Sequence, residues 1–290
     1  MSISERYRVE MLAVNKQHRI PIVERTQRLE RSYLLHFAPL FSRSDASAEE
    51  LQALYDGASM MAAYTGYHRQ SENSRYIEDM TKALRLLRAR GVDKDENVRG
   101  MYGALLSSRR FDEARAFAAA EPSLSKESIP HIDRQPGFDS RRPAYFEVPQ
   151  TGDVLLRNAP EFSKGIRIIV VSGCHIAHDA ARAITADESL ISAFARAQAL
   201  WLAPPERNFD VEEIRRWNAE IPRAPMRMVF STEPWRGIDF SGMPTFYVFR
   251  DGKQIAKLSG WREVESLAQL RTVLREVGLL EVSNEGSALK

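Results

Sequence analysis

The residues with the clearest chemical potential are one cysteine and the two histidines that follow it. Cys174 is the single cysteine of the chain, His175 follows it directly, and His178 lies four positions on. The β-branched run at 166–171 predicts a buried strand, and the pattern after the cysteine predicts a helix over 175–196. We therefore expect Cys174 at the N-terminus of a helix.

A cysteine at a helix N-terminus has an activated sulfur. The unpaired N–H groups and the positive end of the helix dipole stabilise a thiolate relative to a thiol. His178 lies on the same helix face and is expected to donate to the sulfur. A lone thiolate can attack a disulfide and hold a mixed disulfide, or accept glutathione, and an external thiol must then release it. The alternative is that Cys174 only packs as a small apolar side chain.

Metal binding at these residues is not expected. Structural zinc takes about four ligands, whereas Cys174 and His178 supply only two from one helix face. His175 points to another side of the helix, and no second pair of Cys or His residues follows. We predict neither a metal nor any other cofactor.

The composition is that of a globular protein. The 290 residues, 43% hydrophobic and 28% charged, are enough for about two domains. The net charge is +2 with no run of like charges, so no nucleic-acid or membrane partner is expected. The N-terminus carries charges and lacks an apolar stretch typical of a signal peptide, and a single cysteine fits a reducing compartment. These features predict a cytoplasmic location.

Residues 1–122 have helical periodicity throughout. Candidate helices lie at 4–19, 21–38, 47–66, 73–90, 95–107 and 111–120. Ser47 and Glu50 predict a capping box at a helix start, and the apolar residues within 73–90 form one stripe. The segment 123–150 is polar, contains four prolines, and predicts a linker or extended arm.

Strand and helix patterns alternate from residue 151 onward. Strands are predicted at 166–171, 198–203, 226–230, 245–249 and 254–258, and helices at 175–196, 209–221 and 263–277. The Asp251-Gly252 pair predicts a hairpin turn. The pattern favours an α/β domain with a mixed sheet over 151–279, preceded by an all-α helical-hairpin domain. The tail at 280–290 is predicted to be disordered.

Two segments of the α/β region resemble the thioredoxin superfamily. The stronger is MPTFYVFRDGKQIAKLSGW (243–261), which is similar to the proline strand, turn and closing Gly-Trp of that family, and the other is VVSGCHIAHDAARAI (170–184). The extra strand and helix before the proline resemble the redoxin and TlpA-like branch. The segment at 101–122 resembles a single tetratricopeptide-type hairpin, which favours either a helical bundle or a peptide-binding solenoid.

The resemblance implies roles for Met243 and Pro244, and the chain departs from the family at three positions. It implies a cis Met243–Pro244 bond, Pro244 packed against the cysteine, and a Met243 backbone that pairs with an extended substrate. The chain departs from the family in having Ala177 in place of the resolving cysteine, Ile168 where many members have a buried acid, and His175 after the cysteine. A dithiol oxidoreductase is excluded because no internal disulfide can form.

Two functions remain open at this point. The first is a protein-interaction or scaffold module of thioredoxin fold, with monothiol chemistry at Cys174 as an added capability. The alternative is a monothiol thiol-disulfide oxidoreductase or thiol transferase. In both cases Cys174, His178 and Pro244 are the predicted catalytic residues, and Met243, His175 and Trp235 the predicted substrate contacts, with Trp235 at the rim of a groove. The expected partner is an unidentified protein, with glutathione or a partner thiol as co-substrate.

Overall fold

The computed structural model describes residues 2–17, 19–66, 69–205 and 209–281. The chain divides into two compact units. The first comprises Met1–Pro130 with Pro205–Phe209, and the second His131–Pro204 with Asp210–Lys290. Among the described residues, no helix is both long enough and apolar enough to cross a bilayer. Of the tail predicted to be disordered, residues 282–290 lie outside the described residues.

The first unit is helical, as its periodicity predicts. Its α-helices are α1 (Ile3–Arg6), α2 (Ala13–Asn15), α3 (Ile22–Ser32), α4 (Ala48–Gly66), α5 (Gln70–Ala89), α6 (Asp95–Ser107) and α7 (Phe111–Ala120). The predicted capping box is present at the start of α4, where the Ser47 N–H donates to Glu50 and the Glu50 N–H donates to the Ser47 hydroxyl. The hairpin of α6 and α7 lies where the sequence predicts one, and its tetratricopeptide character stays a prediction.

Two predicted helices of this unit are interrupted by wider turns. A π-helical stretch, Tyr7–Leu12, separates α1 from α2, and a second one, Tyr33–Phe37, follows α3 and leads into a 3-10 turn at Ala38–Ser42. Each stretch ends with a hydrogen bond between residues five apart in sequence. The Ala13 N–H donates to the Arg8 carbonyl, and the Ala38 N–H donates to the Tyr33 carbonyl. Such stretches are rare and often accompany functional sites.

The second unit is one mixed sheet with helices. Its strands are β1 (Ile132–Arg134), β2 (Ala144–Glu147), β3 (Val154–Asn158), β4 (Ile166–Val171), β5 (Leu200–Ala203), β6 (Met226–Val229), β7 (Thr245–Arg250) and β8 (Lys253–Ser259). Their order across the sheet is β1-β3-β2-β6-β5-β4-β7-β8. Its helices are α8 (His175–Thr185), α9 (Glu188–Arg196), α10 (Val211–Glu220) and α11 (Glu263–Glu276).

The core of this sheet is the part predicted from sequence. Strands β4, β5 and β6 are parallel neighbours, and β7 runs antiparallel to β4. The β7–β8 hairpin turns at Asp251 and Gly252, which both have positive φ, at 50° and 78°. Two successive positive φ values are typical of a tight hairpin turn, and Asp-Gly is a favoured pair there. The predicted order of strand, cysteine-led helix, strand, helix, strand, proline-led strand, hairpin and closing helix is confirmed.

The segment predicted as a linker or extended arm differs in the structure. Residues 123–150 contain β1 and β2, which belong to the sheet, and the two units meet in sequence between Pro130 and His131. β2 is largely buried and pairs antiparallel with both β3 and β6. Strands this short have too few residues for a visible alternation, and one partner of β2, the strand β6, lies far away in sequence.

The single helix predicted over 175–196 is two helices, α8 and α9. The break is at Asp187, whose carboxylate accepts from the N–H groups of Ser189 and Leu190 and so caps α9. The side chain of Arg271 also contacts this carboxylate. A carboxylate that satisfies the first N–H groups of a helix competes with continuation of the preceding one.

We predict that Asp187→Ala lowers the free energy of unfolding by about 1 kcal/mol, because a helix cap is lost. The hydrogen bond from the Ser189 hydroxyl is the largest effect holding the pKa of Asp187 below its usual value; the Leu190 N–H and the charge of Arg271 assist and burial opposes. A lowered folded-state pKa means that this contribution is present above about pH 4 and is lost as the pH falls through the folded value.

Urea unfolding of the wild type, Asp187→Ala and Asp187→Asn at several pH values checks this. Asn keeps a capping acceptor, so that variant should retain more stability than Ala near neutral pH. It should lose the part of the acid dependence that Asp187 contributes. Equal stability of wild type and Asp187→Ala near pH 7 would contradict the capping role.

Candidate functional site

The cysteine stands where the sequence places it, at the start of a helix. Cys174 is the N-cap residue of α8, with extended backbone angles of φ −116° and ψ 165°. Its side chain is free and partly exposed, and it makes no capping hydrogen bond. No acidic residue lies in the first turn of α8, so no negative side chain there offsets the positive end of the helix.

The proline reaches the same end of the sheet as the cysteine. β4 ends at Val171, which is paired with Thr245, the first residue of β7. Because the strands are antiparallel, the residues that follow Val171 and those that precede Thr245 leave the sheet at the same end. Cys174 and Pro244 are those residues. The Met243–Pro244 bond is cis, as the resemblance implies, and the Pro244 carbonyl accepts from the Gly260 N–H at 2.8 Å.

Met243 presents its backbone and hides much of its side chain. The side chain is partly buried against a core cluster that includes Val171 and Tyr247. No hydrogen bond within the described part of the chain uses the Met243 N–H or carbonyl. Exposed backbone groups of this kind can pair with an added extended segment.

The imidazole of His178 has a different partner from the predicted one. Its Nε2 atom lies 3.0 Å from an oxygen of Glu220 on α10, and its ring meets Trp217 edge-on with ring centroids 5.2 Å apart. Arg182 contacts the same Glu220 carboxylate at 3.7 Å. Within the described residues no hydrogen bond joins His178 to the sulfur, so the predicted donation to Cys174 is not observed.

Trp235 does not line a groove. Only 3% of the residue is exposed, and its ring packs against Phe162 and Phe240 at centroid distances of 5.9 and 6.2 Å. Trp235 is a core residue, because the loop that carries it folds inward over the sheet. Of the predicted substrate contacts, His175 is exposed in the first turn of α8.

Two of the three positions that depart from the thioredoxin pattern are in the core. Ala177 and Ile168 are fully buried. The resolving thiol of a two-cysteine site would therefore point inward from the same helix turn, and no acid accompanies the cysteine at the buried strand position. Because the chain has a single cysteine, the site offers one thiol and no second thiol.

Ser172 is a polar residue of this site that sequence analysis missed. It is fully buried, its N–H donates to the Leu202 carbonyl at 2.8 Å, and its hydroxyl has no hydrogen-bond partner in the described part of the chain. Alternation along β4 places its side chain on the same sheet face as Val170, which pairs with Trp201. A serine directly after the apolar run at 168–171 was the available signal.

A group able to ligate a metal lies elsewhere in the second unit. His131, Asp133 and Asp153 bring one ligand atom each to within 4.8 Å of one another, and all three residues are exposed. Exposed groups of this kind are common without an ion. Cys174 belongs to no such group among the described residues.

Comparisons with known proteins add little to this geometry. No model of a protein family matches the chain, and no curated protein matches it significantly. Among solved structures, a thioredoxin-like protein from Bacteroides caccae ATCC 43185 is similar, with 9% identity and a TM-score of 0.32, covering 91% of this chain and 96% of that one. A likeness this distant carries no inference about the fold or the function of this chain.

We predict that Ala177→Cys creates an internal disulfide with Cys174 under mild oxidation. Residues three apart are neighbours on a helix, whereas residues two apart do not face each other. Ile176→Cys is the matched control, since Ile176 is 38% exposed and points away. Mass spectrometry after blocking free thiols should show closure in the first variant and two blocked thiols in the second. Closure in neither variant, with both folded, would contradict the helix-start geometry.

Proposed function

We propose that the second unit is a protein-interaction module of thioredoxin-like fold that captures a partner through a mixed disulfide at Cys174. The partner supplies an extended segment and a disulfide or an activated cysteine. The segment pairs with the Met243 backbone while the sulfur of Cys174 attacks. One thiol performs the capture, and an external thiol performs the release.

The observation that carries this proposal is the joint placement of one sulfur and one unpaired backbone. Cys174 is partly exposed at a helix N-terminus. At the same end of the sheet, the N–H and carbonyl of Met243 have no hydrogen-bond partner in the described part of the chain. A segment lying along Met243 therefore passes the cysteine. A buried packing cysteine would not need such a neighbour.

The chemistry is a thiol–disulfide exchange with a simple balance. The Cys174 thiolate attacks one sulfur of the partner disulfide, a new S–S bond forms, and the partner's other sulfur leaves as a thiolate. No net oxidation occurs, because one disulfide is exchanged for another. A glutathione or second protein thiol then attacks the mixed disulfide and frees Cys174.

Ala177 and Ile168 supply neither a thiol nor a carboxyl, and this favours capture over rapid turnover. Without a second thiol in the helix turn, the mixed disulfide persists until an outside thiol arrives. Without an acid at the Ile168 position, no buried carboxyl assists proton transfer. These features set the module apart from a two-cysteine oxidoreductase.

A second candidate function is binding without thiol chemistry. It is favoured by His178, whose imidazole is directed to Glu220 and away from the sulfur. In that case the backbone of Met243 binds a partner segment noncovalently, and Cys174 is dispensable. A fold does not entail its usual chemistry.

The rate of mixed-disulfide formation with an activated peptide tests the proposal. The probe is a short Ala/Val peptide whose one cysteine is activated as a thionitrobenzoate disulfide, and the release of coloured thiolate is followed. We expect reaction of the native wild type, none of Cys174→Ser, and a slower reaction of urea-unfolded protein. The matched small probe is the mixed disulfide of thionitrobenzoate and 2-mercaptoethanol, which has the same leaving group. This small disulfide should react more slowly than the peptide, because it lacks an extended backbone.

Backbone pairing is isolated by N-methylating the peptide on both sides of its cysteine. That change removes hydrogen-bond donors and leaves the disulfide unchanged, so the rate should fall to that of the small disulfide. Equal rates for the peptide and its methylated form would overturn pairing at Met243. A native protein that reacts no faster than the unfolded one would favour noncovalent binding instead.

A further inference from the structure

The first unit contains a cleft of about 480 Å³ that is independent of the cysteine site. The π-helical stretch Tyr7–Leu12 forms one wall, and α4, the end of α5 and the turn carrying Val92 and Lys94 form the others. The main chain is therefore irregular along one side of the cleft and regular along α4.

Three residues of α4 that have hydrogen-bond acceptors line the cleft, the exposed Glu49 and the less exposed Gln52 and Asp56. Gln52 and Asp56 lie one helical turn apart, and the Gln52 amide nitrogen donates to an Asp56 oxygen at 2.9 Å. The Gln52 amide oxygen is buried and has no hydrogen-bond partner in the described part of the chain. Buried polar atoms are normally paired, so this oxygen indicates a missing donor.

The Asp56 carboxylate also indicates a missing hydrogen-bond donor. Within the described residues no Lys, Arg or His lies within ion-pair distance of it. Burial raises the pKa of Asp56, while the Gln52 hydrogen bond and the charge of Lys94 act against that effect. A half-buried carboxylate without a paired cation is costly. A bound cation with several N–H groups would satisfy both acceptors.

The remaining surface of the cleft suits an aliphatic chain. Leu12, Ala53, Leu87 and Val92 contribute apolar side chains to the lining. Lys94 and Arg8 are exposed residues of the lining. The cleft thus combines an acceptor pair with aliphatic contacts.

We propose that this cleft binds a guanidinium group carried on an aliphatic stem, as in an arginine side chain. The planar fork of N–H donors can reach the Asp56 carboxylate and the Gln52 amide oxygen at once, which a single ammonium does less well. The stem lies along the apolar side chains. An anionic ligand is disfavoured by both acceptors.

Binding of n-butylguanidinium to the full-length protein tests the proposal, with n-butylurea as the neutral probe of the same shape. Chemical shifts of backbone amides near residues 52–56 are followed during titration. The cation should bind saturably and the urea should not. Asp56→Asn should weaken binding about tenfold or more, since a charge-assisted hydrogen bond is lost. Binding should also weaken as the pH falls and Asp56 takes up a proton.

The matched control is Asp112→Asn, which removes a carboxylate whose side chain is fully exposed on α7. It should bind the cation as the wild type does. Far-UV circular dichroism and thermal melting confirm that each variant is folded. The proposal is overturned if the folded wild type shows no saturable binding, if the urea binds equally well, or if Asp56→Asn binds as tightly as the wild type.

Discussion

The pairing of β4 with β7 is the constraint on which the candidate site depends. The two strands are antiparallel and in register along their length, from Ile166 opposite Arg250 to Val171 opposite Thr245. A slip by one residue would exchange the two faces of a strand. Here the register is fixed by packing, because Ile169 and Tyr247 share one core cluster while Phe246 packs on Trp201 on the other face. Only this register brings Cys174 and Pro244 to the same end of the sheet.

The elements that place these two residues are the ones that the sequence specifies most strongly. β4 is β-branched at every position except Arg167, β7 is rich in aromatic and β-branched residues, and Asp251-Gly252 has a defined turn chemistry. Strands β1, β2 and β3 could not be predicted in the same way. They have three to five residues each, and β2 lies between β3, which is close in sequence, and β6, which is distant.

The surroundings of the cysteine were less predictable than its position. Helical spacing places His178 on the face of Cys174, but it does not reveal that Glu220 on another helix holds the imidazole. The aromatic side chain of Trp235 is equally compatible with packing in the core and with binding a partner. The path of its loop, which places it in the core, is not visible in the sequence. The break at Asp187 had a local signal, an acidic residue before Glu188 and Ser189, that the longer helical pattern obscured. Contacts between distant elements account for most of these differences.

The measurement that tests the central claim most directly is the rate of Cys174 alkylation by iodoacetamide over a range of pH. Because the chain has one cysteine, the native and urea-unfolded proteins are compared at the same atom. The proposed capture of a partner by Cys174 predicts that the native protein reacts faster than the unfolded protein near neutral pH. Native protein that reacts no faster than unfolded protein at any pH would contradict a reactive thiol at this site.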